Sequence, residues 1–170
     1  MDLTEFIADV PDFPIEGVLF RDITPLLSDP DAFREAVDLM VEEFREKKID
    51  QVVAIESRGF IFGAPVAYQL KSGFVPIRKS EKLPREAISV EYSLEYGTNT
   101  LEMHADAIAP GERVLLVDDL LATGGSARAA VDLIEKLGGK VAGIAFLIEL
   151  ASLKGREKLE AYDIFSIITF

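Results

Sequence analysis

The chain has 170 residues, no cysteine, and 18 Lys and Arg against 30 Asp and Glu, for a formal net charge of -12. That charge disfavours binding nucleic acid or an anionic membrane through bulk electrostatics, and the missing cysteine excludes a disulfide framework or a thiolate zinc site. One domain spanning 1–170 is expected, because a chain of this length buries roughly 70% of the surface its unfolded form exposes.

The opening MDLTEFIADV carries acids and no basic region, so it does not read as a signal peptide. The longest clean apolar run, Val141 to Ile148, falls far short of the ~20 residues a membrane span needs. The expected location is the cytoplasm. Leu3 to Val10 reads as a short helix, and Pro11 and Pro14 bracket an extended segment after it. Asp29-Pro30 reads as an N-cap followed by proline at the first helical position. Phe33, Val37, Met40, Val41 and Phe44 then recur at helical spacing, with the helix ending near Lys48. Gln51 to Glu56 is an apolar run without alternation, as in a strand buried on both faces. SRGF links it to a helix around Phe62 to Leu70, and GFVPIRK is a second strand.

Lys79 to Asn99 differs from its surroundings. It is polar, mixed in charge and carries Pro84 and Gly97, with tyrosines that suggest a ribbon. Such an excursion reads as a lid-like insertion, with a disordered insert as the other reading. Arg113 to Val117 is another buried strand, Ala127 to Leu137 an amphipathic helix stopped by Gly138-Gly139, and VAGIAFLIEL a third buried strand. SLKGREKL reads as a short helix or turn and DIFSIITF as a closing strand. Strands alternating with helices predict an α/β fold with a central, mostly parallel sheet flanked by helices.

The stretch VLLVDDLLATGGSA, Val114 to Ala127, is the most informative. An apolar strand meets two carboxylates, Asp118 and Asp119, and a glycine- and hydroxyl-rich turn runs into a helix. In open α/β sheets ligands sit beyond the carboxyl ends of the strands. Free amides and the helix dipole favour an anion there, and glycines let it approach. The pattern pairs acids for sugar hydroxyls with amides for a phosphate, as a phosphorylated ribose requires. A P-loop lysine and the G-x-G-x-x-G fingerprint are both absent. The plain alternative is a capped helix beside two solvated aspartates.

VLLVDDLLATGGSA resembles the phosphoribosyl-pyrophosphate (PRPP) loop of the type I phosphoribosyltransferases. PDFP, GVLFRDITP, ESRGFIFGAPVA, IRKSEKLP, YSLEYGTNTLEMHADA and LIELASLKGREKL follow in an order similar to the adenine phosphoribosyltransferase family, from Pro11 to near the end of the chain. Ser126 stands where many members have threonine, which keeps the hydroxyl. The resemblance implies transfer of the 5-phosphoribosyl group of PRPP to adenine, giving AMP and pyrophosphate, with Mg²⁺ held mainly through PRPP, pyrophosphate and water. It also implies a homodimer, and a small N-terminal hood that contributes to the base pocket.

Under that resemblance, Ala122, Thr123, Gly124, Gly125 and Ser126 hold the 5′-phosphate, and Asp118 and Asp119 bind the ribose hydroxyls. Arg58 follows a strand at the ligand edge and suits bidentate oxygen contacts. It is assigned to pyrophosphate, with Arg78, Lys79 and Lys82 as further candidates that could equally be solvated charges. Glu95 of the lid reaches the purine and shares a proton with it, or is a solvated loop acid, and Tyr96 shapes the closed lid. Leu19, Phe20, Arg21 and Leu150 form the base pocket, with Phe20 stacking and the backbone of Leu19 and Arg21 reading the base edge; core packing is the other reading of Phe20 and Leu150. No protein metal motif is present, and His104, the one histidine, has no assigned role.

Two competing readings remain. One is the same chemistry on xanthine, guanine or orotate, against which ESRGF and LEYG argue. The other is a non-catalytic PRPP sensor or transcription regulator, which would need a basic face and a DNA-binding extension.

Overall fold

The computed structural model describes residues 1–94 and 96–170. A 3-10 turn, Leu3–Phe6, leads into strand β1 (Ala8–Pro11), which pairs antiparallel with β2 (Leu19–Asp22) from Ala8↔Asp22 to Pro11↔Leu19. The helix expected over Leu3 to Val10 is therefore corrected: it stops after one turn. Ladder pairing with the segment Leu19–Asp22 outcompetes the weak local helical spacing, because so short a helix gains little by itself.

Helix α1 (Thr24–Ser28) and helix α2 (Pro30–Phe44) follow. Asp29 caps α2, its carboxylate accepting from the Asp31 and Ala32 amides at 3.1 and 2.9 Å, a contribution of about 1 kcal/mol. Ala36, Val37, Met40, Val41 and Phe44 on one face of α2 are buried. The α-helix ends at Phe44, and a 3-10 turn, Arg45–Lys47, completes the stretch read as helical to Lys48.

Strand β3 (Gln51–Ile55), helix α3 (Arg58–Leu70) and strand β4 (Gly73–Lys79) form a parallel crossover unit. Helix α3 begins at Arg58 rather than at Phe62, because Gly59 serves close approach and not a bend: a side chain there would meet Asp118 Oδ1 at 2.9 Å. The helix N-terminus is thereby pressed against the site.

Strands β5 (Ala87–Ser93) and β6 (Thr98–His104) form an antiparallel ribbon, which accounts for much of the polar excursion. The ribbon joins the sheet through Arg78↔Glu102 and Lys79↔Leu101. Strand β7 (Arg113–Leu121), helix α4 (Gly125–Lys136), strand β8 (Lys140–Glu149) and strand β9 (Ile164–Thr169) complete a seven-stranded sheet of order β5-β6-β4-β3-β7-β8-β9. It is parallel from β4 to β9 and antiparallel in the ribbon.

Adjacent residues of the buried strands feed opposite layers, as the two-residue period requires. Val52, Ala54, Leu115 and Val117 pack beneath α2 and α3. Val53, Ile55, Val114 and Leu116 pack beneath α4. The central strands thus have no polar face, and their chemistry is confined to their ends.

Candidate active site

The chain leaves β3 toward β4 in one direction and leaves β7 toward β8 in the other, so the strand order reverses between β3 and β7. Ligands in open α/β sheets bind at such a switch point. Pairing of β7 with β3 stops at Ala54↔Val117, whereas pairing with β8 continues to Leu121↔Glu149. The strand expected to end at Val117 therefore runs on through both acids, sustained by β8 alone. Asp118 and Asp119 sit where β3 has turned away and one edge of β7 is open.

A cleft of about 530 Å³ fills this opening. Its walls are Glu56, Ser57 and Arg58 after β3, Asp118 to Ala127 of β7 and α4, and Lys79, Tyr92, Leu94 and Asn99 from β4 and the ribbon. Both acids line it and both are buried, at 8% and 7% exposed. Asp118 Oδ1 accepts from the Asp119 amide at 2.9 Å. Burial, and then the neighbouring Asp119 charge, hold the Asp118 carboxyl well above the usual carboxylate range. Asp119 Oδ2 accepts from Arg58 Nε at 2.6 Å.

The turn behind the acids also lines the cleft: Ala122, Thr123, Gly124, Gly125 and Ser126 all contribute. Gly124 sits at the N-cap position of α4 and has no side chain to bond the free amides of the first turn, which carries no acid either. That end of α4 is thus open to an anion.

A second cavity, of about 140 Å³, brings together Leu19, Phe20, Arg21 and Leu150 across some 130 residues of sequence. Arg58 and Asp119 line it as well as the main cleft. Phe13 meets the Phe20 ring edge-on, with centroids 5.1 Å apart, and the Arg58 guanidinium lies 5.7 Å from the centroid of Phe20. Arg21 pairs with Asp9, and its guanidinium stacks 3.9 Å above the ring of Phe170.

Three of the named residues stand outside both cavities. Arg78 donates to Glu56 Oε1 at 3.2 Å and to the Lys82 carbonyl at 3.5 Å, and neither Arg78 nor Lys82 lines the cleft. Lys79 does line it, and its amide bonds Glu56 Oε1 at 2.8 Å. Tyr96 is exposed and lines neither cavity. Glu95 lies outside the described residues. His104 ends β6 away from the cleft, with Nε2 buried and unpartnered.

Sequence reasoning passed over Glu56 and Tyr92. Glu56 organises both Arg78 and the Lys79 amide; its position at the end of an apolar strand, like that of Asp118, was the available signal. The Tyr92 ring lies so close to the loop that a methyl on Gly125 would be 3.1 Å from it. Among the described residues no cluster of three or more His, Asp or Glu forms a metal cage.

A mostly parallel sheet with paired acids and an anion-ready helix start at its switch point defines an α/β protein of the sugar-phosphate-binding class. A sequence profile described as the phosphoribosyl transferase domain matches residues 23–170. The adenine phosphoribosyltransferase of Halothermothrix orenii is 56% identical over 168 residues, 99% of each chain. The crystal structure of adenine phosphoribosyltransferase from Thermoanaerobacter pseudethanolicus matches with a TM-score of 0.96 at 51% identity, covering 99% of this chain and 98% of that one. The Saccharomyces cerevisiae enzyme, complexed with an imino-altritol bisphosphate and adenine, matches with a TM-score of 0.91 at 44% identity over 98% of this chain and 96% of that one. The chain belongs to the phosphoribosyl transferase family and, within it, to the adenine phosphoribosyltransferases.

Proposed function

We infer that the chain transfers the 5-phosphoribosyl group of PRPP to adenine, releasing AMP and pyrophosphate. The observation that carries the reading is the meeting of two cavities, one anion-ready and one flanked by an aromatic ring, at the shared Arg58–Asp119 pair. A purine ring nitrogen attacks the anomeric carbon there. The bond from that carbon to the pyrophosphate oxygen breaks, and its electron pair leaves with the pyrophosphate.

In this reading the loop from Ala122 to Ser126 holds the 5′-phosphate with amides and with the hydroxyls of Thr123 and Ser126. Asp118 and Asp119 take the ribose hydroxyls, and their charge suits an oxocarbenium-like sugar. Arg58 and Lys79 line the cleft and face the leaving group. Arg78 and Lys82 reach it only if the ribbon closes. Glu95 holds or shares a proton at the purine, and Tyr96 covers the closed site.

Two acids, one of them tied to Arg58, do not build a cage but suit Mg²⁺, which keeps its waters and substrate oxygens. Asp118 and Asp119 would steady that hydration shell, and the ion supplies charge neutralisation on the pyrophosphate. The hood exposes Phe13, Ile15, Val18 and Leu19. An apolar patch of this kind suits a homodimer contact, and a solution mass of a single 18.7 kDa chain would remove that part. The cysteine-free chain and its phosphorylated substrates suit the cytoplasm.

The test is AMP formation from PRPP with a panel of bases, with and without Mg²⁺. A site that hydrogen-bonds the edge of adenine leaves its polar groups unpaired against guanine, which should lower kcat/KM on the order of 10⁴-fold. Equal turnover of guanine, xanthine or orotate would overturn the assignment.

A further inference from the structure

The phosphate loop rests on a stretch of chain that does not line the cleft. Gly155 opens a 3-10 turn, Gly155–Leu159, after Lys154 in the left-handed region at φ 56°. Its bare backbone lies directly against the loop. A β-carbon on Gly155 would stand 2.5 Å from the Ala122 carbonyl oxygen and 2.7 Å from Leu121 Cδ1. One on Gly124, itself at φ 87°, would stand 2.7 Å from the Gly155 carbonyl oxygen. Gly155 therefore excludes a side chain at Gly124, while Ala122 and Leu121 exclude one at Gly155.

The turn is fixed from behind. Leu159 is fully buried. Arg156 Nε donates to Glu149 Oε1 at 2.7 Å, and Ser166 Oγ donates to Glu149 Oε2 at 2.7 Å. The Arg156 hydrogen bond, foremost, holds the buried Glu149 carboxyl below its usual range, so the anchor is ionic near neutrality. Strands β8 and β9 thus hold the turn, and the turn holds the loop.

We propose that Gly155 is a positioning residue for sugar-phosphate binding: the turn it opens sets the height at which Ala122 to Ser126 present their amides. The proposal rests on the reading of that loop as the phosphate site. Moving the Ala122 carbonyl from 2.5 Å out to ordinary contact at 3.4 Å displaces the loop by nearly an ångström. Misplacement by ~1 Å costs up to ~10²-fold where geometry governs binding and reaction.

Titration calorimetry with ribose 5-phosphate, together with steady-state kinetics, tests this on the full chain. Gly155→Ala should weaken ribose 5-phosphate and raise the KM for PRPP by about tenfold or more, with the KM for adenine changed by less than about twofold. Arg156→Lys keeps the charge but loses the planar donor, and should shift the same two quantities by about threefold; it decides the matter if Gly155→Ala does not fold. Val37→Ala, which opens the core beneath α2 away from the loop, should lower Tm and leave both KM values in place. Wild-type affinity for ribose 5-phosphate in Gly155→Ala, or in Arg156→Lys if only that variant folds, would overturn the proposal. So would an equal rise in both KM values. Failure of the wild-type chain to bind ribose 5-phosphate would instead overturn the phosphate reading of the loop, and the buttress with it.

Discussion

Replacing Asp118 by asparagine is expected to lower kcat/KM for PRPP by about 10²-fold or more while the protein stays folded. Asparagine keeps the shape and the oxygen that accepts the Asp119 amide, so the backbone at the end of β7 has no reason to move. What disappears is a carboxylate in a water-poor site, where it would bind a sugar hydroxyl and face a cationic ribose.

Stability should move the other way. Burial, and then Asp119, raise the Asp118 carboxyl above its ordinary value near 3.8, so its charged form is disfavoured in the folded state. A raised carboxyl contributes stability fully below its unfolded value and loses that contribution as pH rises through the folded value. The asparagine variant lacks this loss. Its advantage over wild type in urea denaturation should therefore grow as pH rises from about 4 toward neutrality. An active site that is less stable than its inert variant is the usual trade between stability and function. Unchanged kinetics in the variant would remove Asp118 from the reaction, and a stability gap independent of pH would remove the electrostatic argument.

Arg58→Ala should have a comparable effect by another route. The guanidinium pairs with Asp119, stands over Phe20 and lines both cavities, so its loss should raise the KM of PRPP and of adenine together. An overall fall in kcat/KM of about 10²- to 10³-fold is expected. Its charge also lowers the Asp118 carboxyl, as the last of the causes acting there. Without it that carboxyl climbs further, and the acid limb of the pH–rate profile should move to higher pH. Arg58→Lys should recover only part of the activity, because an ammonium cannot reproduce a planar donor beside an aromatic ring. A variant impaired for one substrate alone would confine Arg58 to one cavity, and normal pyrophosphate binding would end its assignment to the leaving group.

Much of this architecture is written locally. Asp29-Pro30 and the spacing from Phe33 to Phe44 are sufficient for α2, since a cap and one apolar stripe act over a few residues. Gln51 to Glu56 and Gly73 to Lys79 are apolar runs bounded by polar or glycine residues, and they become strands, the first ending one residue earlier at Ile55. The elements misread depend on distant partners. The run from Ala8 to Pro11 is a strand only because Leu19–Asp22 lies beside it, and β7 passes through two acids only because β8 continues.

The same division holds in the site. The acids and the glycine-rich turn are adjacent in sequence and legible as one motif. The capture of Arg78 by Glu56 spans 22 residues and leaves no trace in composition. The gathering of Leu19, Phe20 and Arg21 with Leu150 rests on the likeness to a family rather than on spacing. The contact between Gly124 and Gly155 is invisible until the chain is folded.

The two cavities share their dividing wall. A ligand occupying one rests against the same guanidinium and carboxylate as a ligand in the other, so a single compound carrying a base analogue joined by a short spacer to a phosphate mimic would engage both without crossing a second barrier. Its second half would bind at the millimolar effective concentrations typical of short tethers, and the length of the spacer that binds best would serve as a ruler for the distance over which the glycosidic bond is made.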